Sequence, residues 1–149
     1  MAGSFVSLHY HLAFSTKDRL PQITDDLRER LWAYMAGIAR QERGVALCIG
    51  GTDDHVHLLV SLHQDIAPAD FVRVVKSNSS RWVHETYPGR PFAWQEGYGA
   101  FSVSYMGSQA IRRYIAGQAE HHREKSFQEE FIEFLERHCI AYDARYIWR

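Results

Sequence analysis

The chain has 149 residues, of which 46% are hydrophobic and 23% are charged, and its formal net charge is −1. This composition is ordinary for a compact globular protein, and we predict one domain over residues 1–149. Proteins that grip long stretches of duplex DNA without sequence preference are usually basic, so that class is disfavoured. No apolar run approaches the roughly 18 residues of a membrane helix, which argues against a membrane protein.

Two further features indicate the compartment. The N-terminus, MAGSFVSLHYHL, lacks the basic region and the uninterrupted apolar region of a signal peptide. The two cysteines, Cys48 and Cys139, lie far apart in apolar surroundings, which predicts reduced thiols in the core rather than a disulfide. We therefore expect a cytoplasmic protein.

The first half of the chain predicts three strands and a helix. Residues 5–14 alternate between apolar and polar side chains, as a half-buried strand does. A helix follows, with Thr24 as its N-cap, an apolar stripe at helical spacing and Gly44 at its end. Residues 45–49 predict a short apolar strand, GGTDD predicts a turn, and the alternation of residues 55–62 predicts a third strand.

The second half predicts three helices and one more strand. Pro68 fits the first turn of a helix that PGRP ends. A fourth strand follows over residues 101–105, with its aromatic residues and valine on one face and its serines on the other. A third helix runs from Ser108 to about His121, and Ser126 caps a fourth helix through a capping box with a glutamate three residues later.

This order, β-α-β-β-α-β followed by two helices, is that of the ferredoxin-like (split βαβ) fold. We therefore predict an α+β protein whose antiparallel sheet carries helices on one face, with two additional C-terminal helices. Since residues two apart on a strand point the same way, alternation predicts a polar, open face opposite the helices. That face collects His9, His11, His55, His57, Ser61, Ser102 and Ser104.

The pair His55–Val56–His57 stands out on this face. Both rings can reach one ion, and Asp54 is placed to orient an imidazole. Two neutral imidazoles with open positions suit a divalent transition metal, whereas Mg²⁺ prefers oxygen ligands. Taken alone, however, the pair is a weak signal. With nine histidines in the chain, roughly half such a pair arises by chance, and solvated or hydrogen-bonded imidazoles are the more common explanation.

The third helix supplies two more candidate groups. Tyr114 and Gln118 are four residues apart and share one helical face. A carboxamide oxygen is a hard, neutral metal ligand, and a phenol is a potential nucleophile. On spacing alone, the plainer interpretation is favoured, in which both residues belong to the buried stripe of the helix. His121 and His122 are alternative ligands on the same side, so a zinc site of three histidines stays open.

Several blocks of sequence, taken together, are more specific than any single pair. In chain order they are YHLAFSTKDR, DHVHLLVSL, FVRVVKSNSSRW, WQEGYGAFSVS and AIRRYIAGQAEHHR. Over nearly the whole chain these blocks resemble the single-tyrosine transposases of the IS-two-hundred type. Those enzymes belong to the His-hydrophobic-His (HUH) nucleases, as do the repeat-associated tyrosine transposases.

The resemblance implies an enzyme and a site. His55, His57 and Gln118 would bind a divalent metal ion, Mg²⁺ or Mn²⁺, and Tyr114 would be the nucleophile. The enzyme would cleave and rejoin single-stranded DNA by transesterification through a 5′-phosphotyrosine, without a nucleotide cofactor, and so mobilise an insertion sequence. It would recognise hairpin-containing element ends and act as a homodimer, in which the catalytic helix of one subunit completes the metal site of the other.

The base and the DNA contacts are less specific. A phenol with a pKa of about 10 needs a base or a metal to activate it near neutral pH, and His11 and His122 are candidates. Trp94 or Tyr98 could stack on unpaired bases, and basic side chains could meet phosphates. Those basic side chains are Lys17, Arg19, Lys76, Arg81, Arg112 and Arg113. Solvated charges and core aromatic residues are the alternative interpretation.

Two rival functions remain at this stage. One is a small zinc hydrolase that uses His55, His57 and His122 and has no need of Tyr114. The other is a non-catalytic module that binds single-stranded nucleic acid on the sheet face; it ranks lowest, because sheet-type RNA binders display paired aromatic residues there. The segment after Gln118 would pack against the catalytic helix, mediate dimerisation or restrict access of the substrate.

Overall fold

A four-stranded antiparallel sheet lies at the centre of the computed structural model, which describes residues 3–121 and 125–149. The strands stand in the order β2-β3-β1-β4. Their bounds are His9–Ser15 for β1, Val45–Gly51 for β2, His55–Ser61 for β3 and Gly99–Val103 for β4. This is the strand order of the ferredoxin-like α+β fold, so the predicted fold class is confirmed.

Two long helices cover one face of the sheet. They are α1 (Asp25–Gln41) and α2 (Pro68–Thr86). Three shorter helices follow β4, namely α3 (Ser108–Ala116), α4 (Gln118–His121) and α5 (Phe127–Arg137). Pro68 occupies the first turn of α2 as predicted, and Thr24 precedes α1 as its N-cap residue, although its hydroxyl donates to the Asp26 carboxylate rather than capping the backbone.

The main core lies between the sheet and these two long helices. Leu12 and Phe14 of β1 and Leu58 of β3 are fully buried there. The stripes that α1 and α2 turn toward them are Leu27, Leu31, Met35 and Ile38, and Phe71, Val72, Val75 and Val83. These are the strand and helix positions that alternation and helical spacing predict.

The opposite face of the sheet is not open, and that part of the prediction is wrong. A second apolar cluster covers it, formed by Ala13, Phe101, Phe127, Phe131, Phe134 and Leu135. Four of these residues belong to α5, which packs its aromatic stripe over the strands that carry His11, His55 and His57. An amphipathic helix must bury its apolar stripe, and this face provides the apolar partner.

The predicted facing of β4 is also wrong. Phe101 pairs with His11 and Ser102 pairs with Tyr10 across the β1–β4 ladder. Since directly paired residues point to the same side of a sheet, Phe101 lies on the histidine face and Ser102 on the other. The pairing with β1 sets this register, because alternation within five residues is equally compatible with either facing.

Several strands and helices begin or end at residues other than those predicted. The first strand begins at His9 rather than at residue 5, and the Phe5 side chain is 94% exposed. The second strand extends to Gly51, so the turn is confined to residues 52–54. The predicted third helix is interrupted at Gly117, whose amide donates to the Arg113 carbonyl and ends α3.

Cys139 is exposed and Cys48 is half-buried, and neither forms a disulfide. The prediction of a core thiol is therefore wrong for Cys139, which follows the end of α5. Across the described ranges, no helix is both long enough and apolar enough to span a bilayer.

Candidate active site

His55 and His57 lie side by side on β3, one of the two central strands. Both side chains are fully buried, and their ring centroids are 5.1 Å apart. The alternation of the strand places both rings on the face that α3 and α5 cover.

A hydrogen-bonded partner holds one nitrogen of each ring. The Nδ1 atom of His55 lies 2.7 Å from the Asp54 carboxylate and 3.0 Å from the Thr52 hydroxyl. The Nδ1 atom of His57 lies 2.8 Å from Nε2 of His11. Such partners fix the orientation of imidazoles that bind metals, and here they leave both Nε2 atoms directed toward the same space.

His11 therefore stands behind His57. Its pKa is lowered to about 3, first because the ring is buried and second because His57 lies beside it. Its ring centroid is 6.2 Å from that of Tyr114, and its Nδ1 atom has no hydrogen-bond partner among the residues that the structure describes. This geometry favours an orienting role over the role of base. His122, the other candidate base, lies outside the described residues, as does the side chain of His121.

Gln118 and Tyr114 come to the same place from the other side. Gln118 is 1% exposed, and its Oε1 atom lies 2.8 Å from Nε2 of His55. The Gln118 amide donates to the Tyr114 carbonyl oxygen over 3.3 Å, which ties the two residues together across the break at Gly117. The Tyr114 ring is half-buried, and its centroid is 5.6 Å from that of His57. One chain thus brings all four residues together.

Glu130, which sequence reasoning missed, completes this cluster. Its side chain is 1% exposed on α5. One carboxylate oxygen lies 2.7 Å from Nε2 of His57 and 4.0 Å from Nε2 of His55, and the other accepts a hydrogen bond from the Tyr114 hydroxyl. The sequence does carry a signal: Phe127, Glu130, Phe131 and Phe134 have helical spacing, so this carboxylate lies within an apolar stripe.

The donor atoms of this cluster suit a divalent metal ion. Candidate ligand atoms of His55, His57 and Glu130 all lie within 4.8 Å of one another. With the Gln118 oxygen, they offer two imidazole nitrogens and two oxygens, a set that divalent transition metals accept.

The phenol of Tyr114 is held in its protonated form. Burial raises its pKa above the ordinary value, and the hydrogen bond to the negative Glu130 carboxylate raises it further. An additional positive charge at this site would oppose both effects.

A known family matches the part of the chain that contains most of the sequence blocks quoted above. The model of the family described as "Transposase IS200 like" matches residues 4–118, which is most of the chain. The chain belongs to the IS200-like transposase family. As a transposase of this family it is a DNA-cleaving and strand-transfer enzyme, and the resemblance drawn from its sequence is confirmed.

Individual relatives agree with this assignment. The transposase is 29% identical over 122 residues to the ISDra2 transposase TnpA of Deinococcus radiodurans, covering 78% of this chain and 87% of that protein. It is also similar to the crystal structure of a candidate transposase from Deinococcus radiodurans, with a TM-score of 0.65 and 27% identity over 79% of this chain and 95% of that one.

A third comparison concerns a transposase solved with a bound hairpin. The structure of a REP-associated tyrosine transposase bound to a REP hairpin matches with a TM-score of 0.61, over 82% of this chain and 73% of that one. At 13% identity this likeness shows the shared fold alone.

Helix α3 of the transposase packs directly against the sheet. A Cβ atom at Gly50 would lie 2.5 Å from the carbonyl oxygen of Ile115. Only glycine therefore lets α3 pack directly on β2, and the buried Ile115 side chain anchors this contact. Because Tyr114 immediately precedes Ile115, the glycine contributes to the position of the phenol.

Two of the predicted DNA contacts have partners within the protein. The Lys76 ammonium donates to the carbonyl oxygens of residues 95, 96 and 97 over 2.9, 3.1 and 2.5 Å, so its three donors hold a loop. Trp94 is buried in the main core, and its indole N–H donates to the Ser79 hydroxyl over 2.9 Å. Both side chains thus have structural roles, and their contacts with DNA stay predictions.

The other predicted contacts remain predictions. Lys17, Arg81, Arg112 and Arg113 are exposed, and the last two directly precede Tyr114 on α3. The Arg19 guanidinium lies 5.5 Å from the centroid of the Trp148 ring. Tyr98 is 38% exposed.

Proposed function

We propose that this transposase cleaves and rejoins single-stranded DNA by metal-assisted transesterification through Tyr114, and so mobilises an insertion sequence. One observation carries the proposal. In a chain of this family, a phenol, a carboxamide and two imidazoles converge in one cluster, with both imidazole Nε2 atoms directed into it, although the residues come from elements far apart in sequence.

The proposed metal ligands are Nε2 of His55, Nε2 of His57 and Oε1 of Gln118, and the proposed ion is Mg²⁺ or Mn²⁺. When bound, the cation polarises the scissile phosphate and offsets the charge that develops on it. The two imidazoles favour Mn²⁺ over Mg²⁺, because Mg²⁺ prefers oxygen ligands. Asp54 and His11 keep the two rings in the orientation that this binding requires.

Tyr114 performs the covalent chemistry. Its oxygen attacks phosphorus and loses its proton, the bond from phosphorus to the 3′ oxygen breaks, and that oxygen leaves as a 3′-hydroxyl after taking up a proton. The product is a 5′-phosphotyrosine. Since the phosphodiester energy is retained, a second 3′-hydroxyl can attack the phosphotyrosine, which releases Tyr114 and joins the strands.

The proposed substrate is single-stranded DNA with a hairpin at the element end. The hairpin-bound transposase of the same fold supports this choice. Arg112 and Arg113 are exposed beside Tyr114, where positive side chains would meet the phosphates that flank the scissile bond. Lys17, Arg19 and Arg81 are proposed as further phosphate contacts.

A homodimer with sites shared between subunits is retained as part of the proposal, although one chain already brings Tyr114 close to His57. Complementation tests it. Protomers carrying Tyr114→Phe are mixed with protomers carrying His57→Ala, and cleavage is measured. Shared sites restore activity, because one of the two composite sites is then intact. Failure to restore activity in a stable mixed dimer would show that each chain uses its own tyrosine.

Adduct formation tests the function itself. The protein is incubated with single-stranded hairpin DNA and Mn²⁺ or Mg²⁺, denatured and analysed by electrophoresis. We expect a protein–DNA adduct that survives denaturation and disappears in Tyr114→Phe. Cleavage that persists in Tyr114→Phe would instead indicate a metal-activated water, as in the zinc hydrolase alternative. Binding without cleavage would indicate the non-catalytic module.

A further inference from the structure

Helix α5 delivers a carboxylate to the proposed site from outside the part of the chain that matches the family. The match ends at residue 118, whereas Glu130 lies on α5 and is 1% exposed. Burying a carboxylate is costly unless hydrogen bonds, an opposite charge or a metal compensates it. The surroundings of Glu130 therefore call for a specific explanation.

The neighbours of Glu130 are the proposed ligands themselves. Its Oε1 atom lies 2.7 Å from Nε2 of His57 and 4.0 Å from Nε2 of His55. The Gln118 oxygen lies 2.8 Å from Nε2 of His55. Atoms that share one cation through bonds of about 2.1 Å lie about 3–4 Å apart, so these separations need only small adjustments.

We propose that Glu130 is a further ligand of the divalent cation bound by His55, His57 and Gln118. Its first oxygen binds the ion, and its second oxygen holds the Tyr114 hydroxyl beside it. The inference rests on the proposed function for the ion and the nucleophile. It adds an anionic ligand to three neutral ones, and it makes α5 part of the catalytic site rather than a cover over it.

The principal alternative is that Glu130 competes with the cation, and it predicts the opposite change in metal affinity when the carboxylate is removed. If Nε2 of His57 carries a proton and donates it to Glu130, the carboxylate competes with the cation for the imidazole. Removing the carboxylate charge would then strengthen metal binding. If Glu130 is a ligand, the same substitution weakens metal binding.

The test measures Mn²⁺ binding in the absence of DNA, by titration with the free ion followed by electron paramagnetic resonance. We expect Glu130→Gln to weaken binding at least about tenfold, since even the outer partners of metal ligands are worth 10–100-fold. Glu136→Gln is the matched control, because Glu136 is an exposed carboxylate on the same helix. It should leave the affinity unchanged.

Circular dichroism establishes whether Glu130→Gln is folded. If it is not, Glu130→Asp replaces it, keeps the charge and shortens the side chain by one methylene. This variant should also bind Mn²⁺ more weakly, because its oxygen cannot reach the same position. Unchanged or tighter binding by a folded Glu130 variant would overturn the inference.

Failure of this inference is distinguishable from failure of the proposed function. Unchanged Mn²⁺ affinity in Glu130→Gln, together with an adduct that depends on Tyr114, overturns the ligand role alone. An adduct or cleavage product that persists in Tyr114→Phe overturns the tyrosine mechanism and, with it, the role of Glu130 in holding the nucleophile.

Discussion

Leu12 and Phe14 of β1 point toward α1 and α2, whereas His11 and Ala13, which alternate with them, point toward α3 and α5. The same alternation along β3 separates Leu58 from His57. One face of the sheet is thus packed with aliphatic and aromatic side chains, and the other buries imidazoles, a carboxamide and a carboxylate beneath an aromatic helix.

The comparison shows how one sheet supports both stability and chemistry. Burial of apolar side chains on the first face supplies most of the free energy that stabilises the fold, so the second face can carry polar groups that contribute less. Polar groups on the second face are dehydrated without filling the apolar core, and each depends on a specific partner. We therefore expect substitutions on the two faces to separate stability from metal binding.

The largest expected contrast uses adjacent residues of β3. Leu58→Ala removes a fully buried side chain from the main core and should lower the free energy of unfolding by about 2–5 kcal/mol. The folded fraction should still bind Mn²⁺. His57→Ala should weaken Mn²⁺ binding by more than about a hundredfold, because it removes a proposed ligand rather than an outer partner.

Chemical denaturation and Mn²⁺ titration of both variants measure the contrast. Equal losses of Mn²⁺ affinity in the two folded variants would show that the faces are not separable.

Gly50→Ala should have the next largest effect. It acts on the second face by displacing the backbone. The added methyl group would meet the Ile115 carbonyl and push α3 away from β2. A displacement of about 1 Å can lower a reaction rate about a hundredfold, so we expect a loss of this size in adduct formation.

The matched control is Gly37→Ala on α1, where a new Cβ atom meets only the end of the Arg40 side chain. It should leave adduct formation unchanged and stabilise the helix slightly. If both alanine variants form the adduct at similar rates, Gly50 does not determine the position of Tyr114.

These contrasts also show which parts of the molecule were predictable. The shared facing of His55 and His57 follows from the two-residue period of a strand, and the stripe of α1 follows from helical spacing. Neither depends on distant partners. The facing of Phe101 was not predictable in this way, since its strand is short and only its pairing with β1 sets the register.

The position of α5 was not predictable from its own residues. Its aromatic stripe requires an apolar partner, but the stripe does not specify which surface provides it. The role proposed for Glu130 depends on the packing of α5 over the histidine face. Tyr114 and Gln118 were singled out by their spacing, although a break at Gly117 now separates their helices.

Half-buried Lys76 and buried Glu130 extend the comparison to charged side chains. The Lys76 ammonium holds three carbonyl oxygens of one loop on the side of α2, and it makes no contact with the proposed metal site. Lys76→Met should lower the free energy of unfolding by about 1–3 kcal/mol, because those oxygens lose their donor. It should leave Mn²⁺ affinity unchanged.

Thermal unfolding with and without Mn²⁺ checks this, with the exposed Arg81→Met on the same helix as the control. A Lys76→Met variant as stable as Arg81→Met would show that the loop does not depend on the ammonium.

The smallest effect is expected at Asp54, which acts on the metal only through His55. Asp54→Asn keeps the shape of the side chain but removes the charge beside Nδ1 of His55. We expect Mn²⁺ affinity to fall about tenfold, at the lower end of the range for partners of ligating histidines.

The neighbouring Asp53→Asn is the control, because the Asp53 side chain is exposed. If both variants bind Mn²⁺ equally, the orientation of His55 is set by Thr52 and the sheet. In that case the buried polar groups of the second face would depend less on their partners than the comparison with the apolar face implies.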